Sequence, residues 1–390
     1  MLIALACLSL AACEKEKTFS PHEPEPYVRE AVTLSLTDPA ATAQTKALYA
    51  NLWDIQSSRR WIFGHQADLM YGRSWYGEEG RSDTKDVCGD YPGAFGVDIA
   101  TGIDSRSKLP ASIEELALQR KCMIEAYERG MVSVCCLHWN NPLTGGDAWD
   151  NSSNEVAAEI VREGSFTNIN FNGWLDRLAN FANNLKAADG TLIPFVLRPF
   201  HEHNQQWSWW STKCCTEQEF IALWRYTISY LRDKKDVHNL IYAISPQMDN
   251  AKTEDEFLER WPGDEWVDFL GIDCYQGINN TVFVSNLKKL VNVSQAHQKV
   301  CGVTETGVEG FSAADYWSRN ISAPMMGRKV SMLLTWRNQY DPGQQGTHYF
   351  SVFPGHPSQK DFLKMYKEEN VLFCNDLPDL YSPIDLITVE

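Results

Sequence analysis

The chain has 390 residues, a formal net charge of −16 and 44% hydrophobic residues. That content supplies a sizeable core, and the acidic balance excludes nucleic acid or an anionic membrane surface as an obvious partner. It suits a neutral substrate.

The N-terminal stretch Met1–Ala12 is apolar and runs into Leu10-Ala11-Ala12-Cys13. That resembles a bacterial lipobox, with small residues before a cleavage point, and it is too short to span a bilayer. The expectation is a signal segment over 1–13, with Cys13 lipidated as the first mature residue. This places the protein outside the cytoplasm, in the periplasm or on the outer-membrane surface. Residues 14–30, rich in Glu, Lys and Pro, read as a flexible tether. Residues 31–390 read as one domain, because no repeat or mid-chain linker interrupts them.

What recurs is a short apolar strand followed by a helical segment, the pattern of a parallel sheet. The strands are predicted over Trp61–Gln66, Ala94–Ala100, Met131–Trp139, Ile193–Glu202, Leu240–Pro246, Phe269–Tyr275, Val300–Gly307 and Ser331–Asn338. Helices are predicted over Asp38–Ser58, Ser112–Arg129, Trp174–Ala188, Thr216–Asp233, Phe283–His297 and Ser358–Glu369. Ser112 with Glu115 and Thr216 with Glu219 have the spacing of capping boxes. Eight strand–helix units predict an α/β fold, a single (β/α)₈ barrel, with its site at the C-terminal strand ends. Those ends carry Gly64-His65-Gln66, His138-Trp139-Asn140, His201-Glu202, Asp273-Cys274-Tyr275, Thr304-Glu305 and Trp336-Arg337-Asn338. The strand starts are apolar.

Two of these ends stand out. The apolar run Ile193–Leu197 breaks into Arg198-Pro199-Phe200-His201-Glu202-His203-Asn204 and then a tryptophan cluster, Trp207, Trp209 and Trp210. Val300–Val303 likewise ends in Thr304-Glu305-Thr306-Gly307. A glutamate at the end of a buried strand is unfavourable unless paired or protonated. Tryptophan faces beside it suit the apolar faces of sugar rings. Two such glutamates meet the requirement of glycoside hydrolysis, one to protonate the leaving oxygen and one to attack carbon or activate water. The plainer alternative is a structural carboxylate paired with Arg198 beside a tryptophan core.

The segments Arg198–Trp210, Val303–Gly307 and Leu334–Asn338 resemble glycoside hydrolase family 26, whose best-known members are β-mannanases. The likeness extends over roughly Trp61 to Trp336. Gln205 and Ser211 depart from it, standing where the family usually has glycine. The resemblance implies a retaining endo-acting hydrolase of β-1,4-mannan, galactomannan or glucomannan. It assigns Glu202 as acid/base and Glu305 as nucleophile, with carboxyls roughly 5–5.5 Å apart. It also implies that Tyr275 hydrogen-bonds the nucleophile and Arg198 supports it electrostatically. His201 and His138 contact substrate, Trp207 flanks the acid/base, and Trp336 lies under the reacting sugar. No metal or cofactor is expected, since His201 and His203 lack a third ligand in view. A monomer is expected. Alternatives are the same chemistry on mixed-linkage β-glucan or xylan, release of mannobiose from chain ends, or a non-catalytic glycan-binding lipoprotein. The long stretches Asp68–Tyr91 and Asn141–Ser165 are expected to line the cleft.

Nine cysteines follow Cys13 at irregular spacings. Cys135, Cys136, Cys274 and Cys301 fall in apolar strands, where buried thiols are the default. Cys214-Cys215 is open to pairing, with Cys88 as one partner.

Overall fold

The computed structural model describes residues 27–275, 277 and 280–390. The signal segment and lipobox expected over 1–13 lie outside the described residues, as does the tether up to residue 26. Tyr27 and Arg29, at the end of that tether, hydrogen-bond through their side chains to Asp54 at 2.7 Å.

The strands in chain order are β1 (Val32–Leu34), β2 (Trp61–Gln66), β3 (Ala94–Asp98), β4 (Val132–Cys136), β5 (Phe195–Arg198), β6 (Leu240–Ile244), β7 (Phe269–Cys274), β8 (Val300–Thr306), β9 (Met332–Thr335), β10 (Val371–Leu372) and β11 (Ile387–Val389). Strands β2 to β9 pair in parallel with their sequence neighbours, and β9 pairs back onto β2 through Ile62 and Met332. The eight therefore close into a barrel, as the sequence predicts. β10 adds beside the start of β2, and β1 pairs with β11.

Alternation along each strand separates two cores. Ile62, Ala94, Val134, Val196, Ile241, Phe269, Val300 and Met332 share one cluster with Leu48 and Tyr49 of the N-terminal helix Ala43–Ser57. Trp61, Phe63, Phe95, Phe195, Leu270 and Val303 belong to the other, with the surrounding helices. Arg198 and Asp273 follow the parity of Val196 and Phe269, so their side chains enter the barrel.

Several boundaries move. The predicted Ser112–Glu115 box is absent: the helix starts at Pro110, whose missing N–H suits a first turn, so Ser112 is already inside it. Glu115 instead accepts from Thr101 Oγ1 at 2.8 Å. The Thr216–Glu219 box is present. The helix expected from Trp174 begins at Phe166, capped by Ser165, and ends at Asn183. The two long loops each carry a short helix, Asp83–Cys88 and Val156–Val161. Cys88, Cys214 and Cys215 are free thiols, so the pairing left open does not form. Among the described residues no helix is long and apolar enough to cross a membrane.

Candidate active site

Arg198, the last residue of β5, is 1% exposed and spans the barrel interior. Its Nη2 donates to Asp273 Oδ2 on β7 at 2.5 Å, its Nη1 to Glu305 Oε1 on β8 at 3.1 Å, and its Nε to Ser245 Oγ at 3.0 Å. Burial pulls the guanidinium pKa down, but the charges of Asp273 and Glu305 outweigh it and hold the pKa above its ordinary value. Asp273 also accepts from Thr304 Oγ1 at 2.7 Å. The packing there needs Gly271, because a Cβ would stand 2.5 Å from Thr304 Oγ1.

Glu305 reaches this group through an irregularity. β7 and β8 run in register to Ile272 opposite Val303, and then Asp273 faces Glu305, so Thr304 is an extra residue. Strict alternation would turn Glu305 to the same side as Val303, among the outer helices. The bulge turns it inward. Tyr275, one residue past β7, donates its hydroxyl to Glu305 Oε2 at 2.9 Å.

Glu202 lies four residues beyond β5 with φ of 53°, an uncommon conformation outside glycine. Its backbone N–H is held by Ser245 O at 2.7 Å. Trp207 Nε1 donates to Glu202 Oε2 at 3.2 Å. Oxygen atoms of Glu202, Asp273 and Glu305 all lie within 4.8 Å of one another. Burial first, then the charges of Glu305 and Asp273, push the Glu202 carboxyl well above the usual range. The charge count agrees. Three ionised carboxylates around one guanidinium would leave two negative charges unmatched in a buried site. Arg198 bonds Asp273 and Glu305 and makes no bond to Glu202, so Glu202 is the carboxyl of the three that the guanidinium stabilises least as an anion.

Beside Glu202, His201 is 3% exposed, and its Nε2 meets His138 Nε2 at 3.0 Å. His138 Nδ1 in turn meets Asp98 Oδ2 at 2.7 Å. Burial, then His138 and Arg198, hold His201 well below its ordinary pKa, so its ring is neutral. With His138 donating to Asp98, His201 supplies the Nε2–H, and its Nδ1 is a buried acceptor without a partner among the described residues. The His138 and Trp336 ring centroids are 6.2 Å apart.

The structure therefore brings Glu202, Glu305, Arg198, Tyr275, His201, His138, Trp207 and Trp336 to one end of the barrel. It separates others. The rings of His201 and His203 do not point the same way: His203 stacks on Phe220, 4.6 Å between centroids, behind the site. Trp209 and Trp210 are core, donating to Trp139 O and His201 O, and only Trp207 of that cluster meets Glu202. Gln205 and Ser211 fit their loop, Gln205 Nε2 bonding Gln247 Oε1 at 2.7 Å and Ser211 Oγ bonding Ser208 O at 2.6 Å. Sequence reasoning missed Asp273 and Asp98 as site residues. Both are acids at the ends of apolar strands, the same signal that marked the two glutamates.

The profile of glycosyl hydrolase family 26 matches residues 37–341. The chain belongs to this family. As a family 26 glycoside hydrolase, it is 36% identical to a solved GH26 β-mannanase from Bacteroides ovatus, over 88% of this chain and 98% of that one, with a TM-score of 0.80. A modular endo-β-1,4-mannanase structure from Cellulomonas fimi is 28% identical, covering 91% and 81%, with a TM-score of 0.80. Among curated relatives, a mannan endo-1,4-β-mannosidase of Bifidobacterium adolescentis is 30% identical over 87% of this chain. The family 26 chain spans only 35% of that relative's length.

Proposed function

We propose that this glycoside hydrolase is a retaining endo-β-1,4-mannanase acting on mannan, galactomannan or glucomannan. The observation that carries the reading is a buried Glu202, whose carboxyl is pushed toward its protonated form, and a guanidinium-paired Glu305, with oxygens within 4.8 Å at the mouth of a family 26 barrel. Retention needs carboxyls roughly 5–5.5 Å apart, whereas inversion leaves roughly 6.5–9.5 Å for a water. The short separation supports retention. The mannanase names of the relatives support the substrate.

In the first step Glu305 attacks the anomeric carbon while Glu202 gives its proton to the glycosidic oxygen, and the C–O bond to the leaving chain breaks. Glu305 is then an ester and its charge is gone. The Glu202 carboxylate has lost the neighbour that disfavoured its ionisation, so its pKa falls while it serves as base. In the second step Glu202 takes a proton from water, the water oxygen bonds the anomeric carbon, and the ester breaks. Tyr275 holds Glu305 Oε2 in place, and Arg198 balances the charge that Glu305 loses and regains. His201 and His138 stand beside the acid/base as a hydrogen-bonded imidazole pair that shapes the sugar site, and Trp336 lies under the ring.

The test is hydrolysis of mannohexaose beside cellohexaose and xylohexaose by the wild type and Glu305→Ala. Mannan-selective cleavage with retained anomeric configuration, abolished by the substitution, is expected. Equal or greater turnover of another hexaose would reassign the substrate, and no turnover would leave only glycan binding. The lipobox-like Leu10–Cys13 supports anchoring through Cys13 outside the cytoplasm. Radiolabelled palmitate incorporated by the wild type and not by Cys13→Ala would bear on that placement.

A further inference from the structure

We propose that Tyr76 and Tyr340 form an accessory sugar platform that extends the cleft beyond Trp336 and makes the enzyme respond to chain length. The proposal rests on the glycan-hydrolase reading above. Tyr76 and Tyr340 are 52% and 43% exposed. Their ring centroids are 5.8 Å apart, and Tyr76 lies parallel to Tyr71 at 5.8 Å and 2°. No hydrogen bond among the described residues engages either hydroxyl. Three rings thus gather at one place, with the Tyr76 and Tyr340 hydroxyls unspent. Such a surface matches a ligand with an apolar face and a hydroxylated rim, as a β-1,4-linked pyranose has.

The platform is built rigidly. Tyr71 and Tyr76 face each other across a tight hairpin closed by Gly72 N–H to Trp75 O at 3.0 Å. That hairpin belongs to the loop after β2, while Tyr340 belongs to the loop after β9. Arg73, 2% exposed, joins the two: its carbonyl accepts from Asp341 N–H at 2.9 Å, and its Nη2 pairs with Asp341 Oδ2 at 3.1 Å. Asn338 Nδ2 adds a bond to Asp83 Oδ2 at 2.9 Å. Buried polar links of this kind hold two loops as one wall, so the aromatic pair needs little ordering when a ligand arrives.

The wall is continuous with the site. Tyr71 OH accepts from Arg337 Nη1 at 3.3 Å, and Arg337 follows Trp336 in the chain. Arg337 Nε and His348 Nε2 nearby are buried without hydrogen-bond partners among the described residues. A stacking platform reads the apolar face of the ring and not the orientation of one hydroxyl. It therefore holds glucose residues of a glucomannan as well as mannose.

The experiment compares kcat/KM on mannotriose and mannohexaose for the wild type, Y76A/Y340A and Y76F/Y340F, with thermal melts to check folding and the single alanine variants as substitutes if the pair melts early. The hexaose-to-triose ratio is expected to fall about tenfold in the alanine pair and to hold in the phenylalanine pair, which keeps the rings. An unchanged ratio in a folded alanine pair overturns the platform and leaves the mannanase reading standing. If the wild type cleaves no mannan, that reading fails instead, and calorimetric binding of mannohexaose, cellohexaose and xylohexaose decides the platform. Loss of affinity for whichever sugar binds supports it; equal affinity, or no binding at all, overturns it.

Discussion

Arg198 Nη1 and Glu305 Oε1 are 3.1 Å apart across the barrel interior, between strands that are not neighbours in the sheet. One guanidinium thereby ties β5 to β7 and β8 and supplies the only direct positive charge bonded to Glu305 among the described residues. Removing it would leave Asp273 and Glu305 buried and uncompensated. Arg198→Met should lose about 3–5 kcal/mol of stability, because breaking a buried pair strands its partners. Turnover should fall about a thousandfold, since Glu305 would lose the cation that orients it and balances its changing charge. Urea unfolding beside steady-state kinetics checks both. A variant as stable as the wild type would mean the pair is not the link between these strands.

Glu202 carries its raised pKa into both activity and stability. The acid must be protonated, so activity should persist above the ordinary carboxyl range and fall as pH rises through the raised value. For stability the folded state holds a proton that the unfolded chain releases above about pH 4.3, so stability declines with rising pH between the two pKa values. Glu202→Gln removes that decline. It should abolish most activity on unactivated mannan yet melt at a higher temperature than the wild type near neutral pH, with the gap closing in acid. Paired melts across pH decide it. A gap that widens in acid would put the proton elsewhere.

The sequence made the barrel and its two glutamates legible because both follow from local pattern: apolar strands of regular spacing, each ending in polar groups. Less visible was how Glu305 enters the barrel. By alternation it belongs outside, and only the unpaired Thr304 turns it inward. A bulge depends on the register of two strands far apart in sequence. Asp273 and Asp98 were passed over for a related reason, since an acid at a strand end gains meaning only from what faces it, Arg198 in one case and His138 in the other. The tryptophan cluster misled in the opposite direction. Trp209 and Trp210 look like ligand platforms by composition, but the loop turns them into the core.

Tyr275 OH bonds Glu305 Oε2 at 2.9 Å, while its ring packs edge-on against Phe350 at 5.8 Å. Tyr275→Phe keeps the packing and deletes the bond. A hydrogen bond to an ionised group is worth about 1.5–3 kcal/mol, so kcat/KM should fall roughly ten- to a hundredfold with little change in melting temperature. Kinetics on mannohexaose with a thermal melt tests the split. A large loss of stability with intact turnover would make Tyr275 a packing residue only.

Asp98 fixes the tautomer of His138, and through it the one His201 Nε2–H that leaves Nδ1 bare. Burial alone would raise the Asp98 pKa, but the hydrogen bonds from the His138 ring and from the Ala100 and His138 backbone N–H groups hold it below the usual aspartate range. An aspartate with a depressed folded pKa contributes stability above its unfolded value, and that contribution is lost as pH falls through the folded one. Asp98→Asn can offer His138 a carbonyl but no charge. It should lower kcat/KM about tenfold, because the imidazole pair beside Glu202 is then no longer held in one tautomer and orientation. The wild type should melt above the variant at neutral pH, and the two should converge as pH drops below about 4. Melting curves from pH 7 down to pH 3, with kinetics at neutral pH, measure both effects. A constant melting gap across that range would show that Asp98 is held by shape and not by its charge on His138.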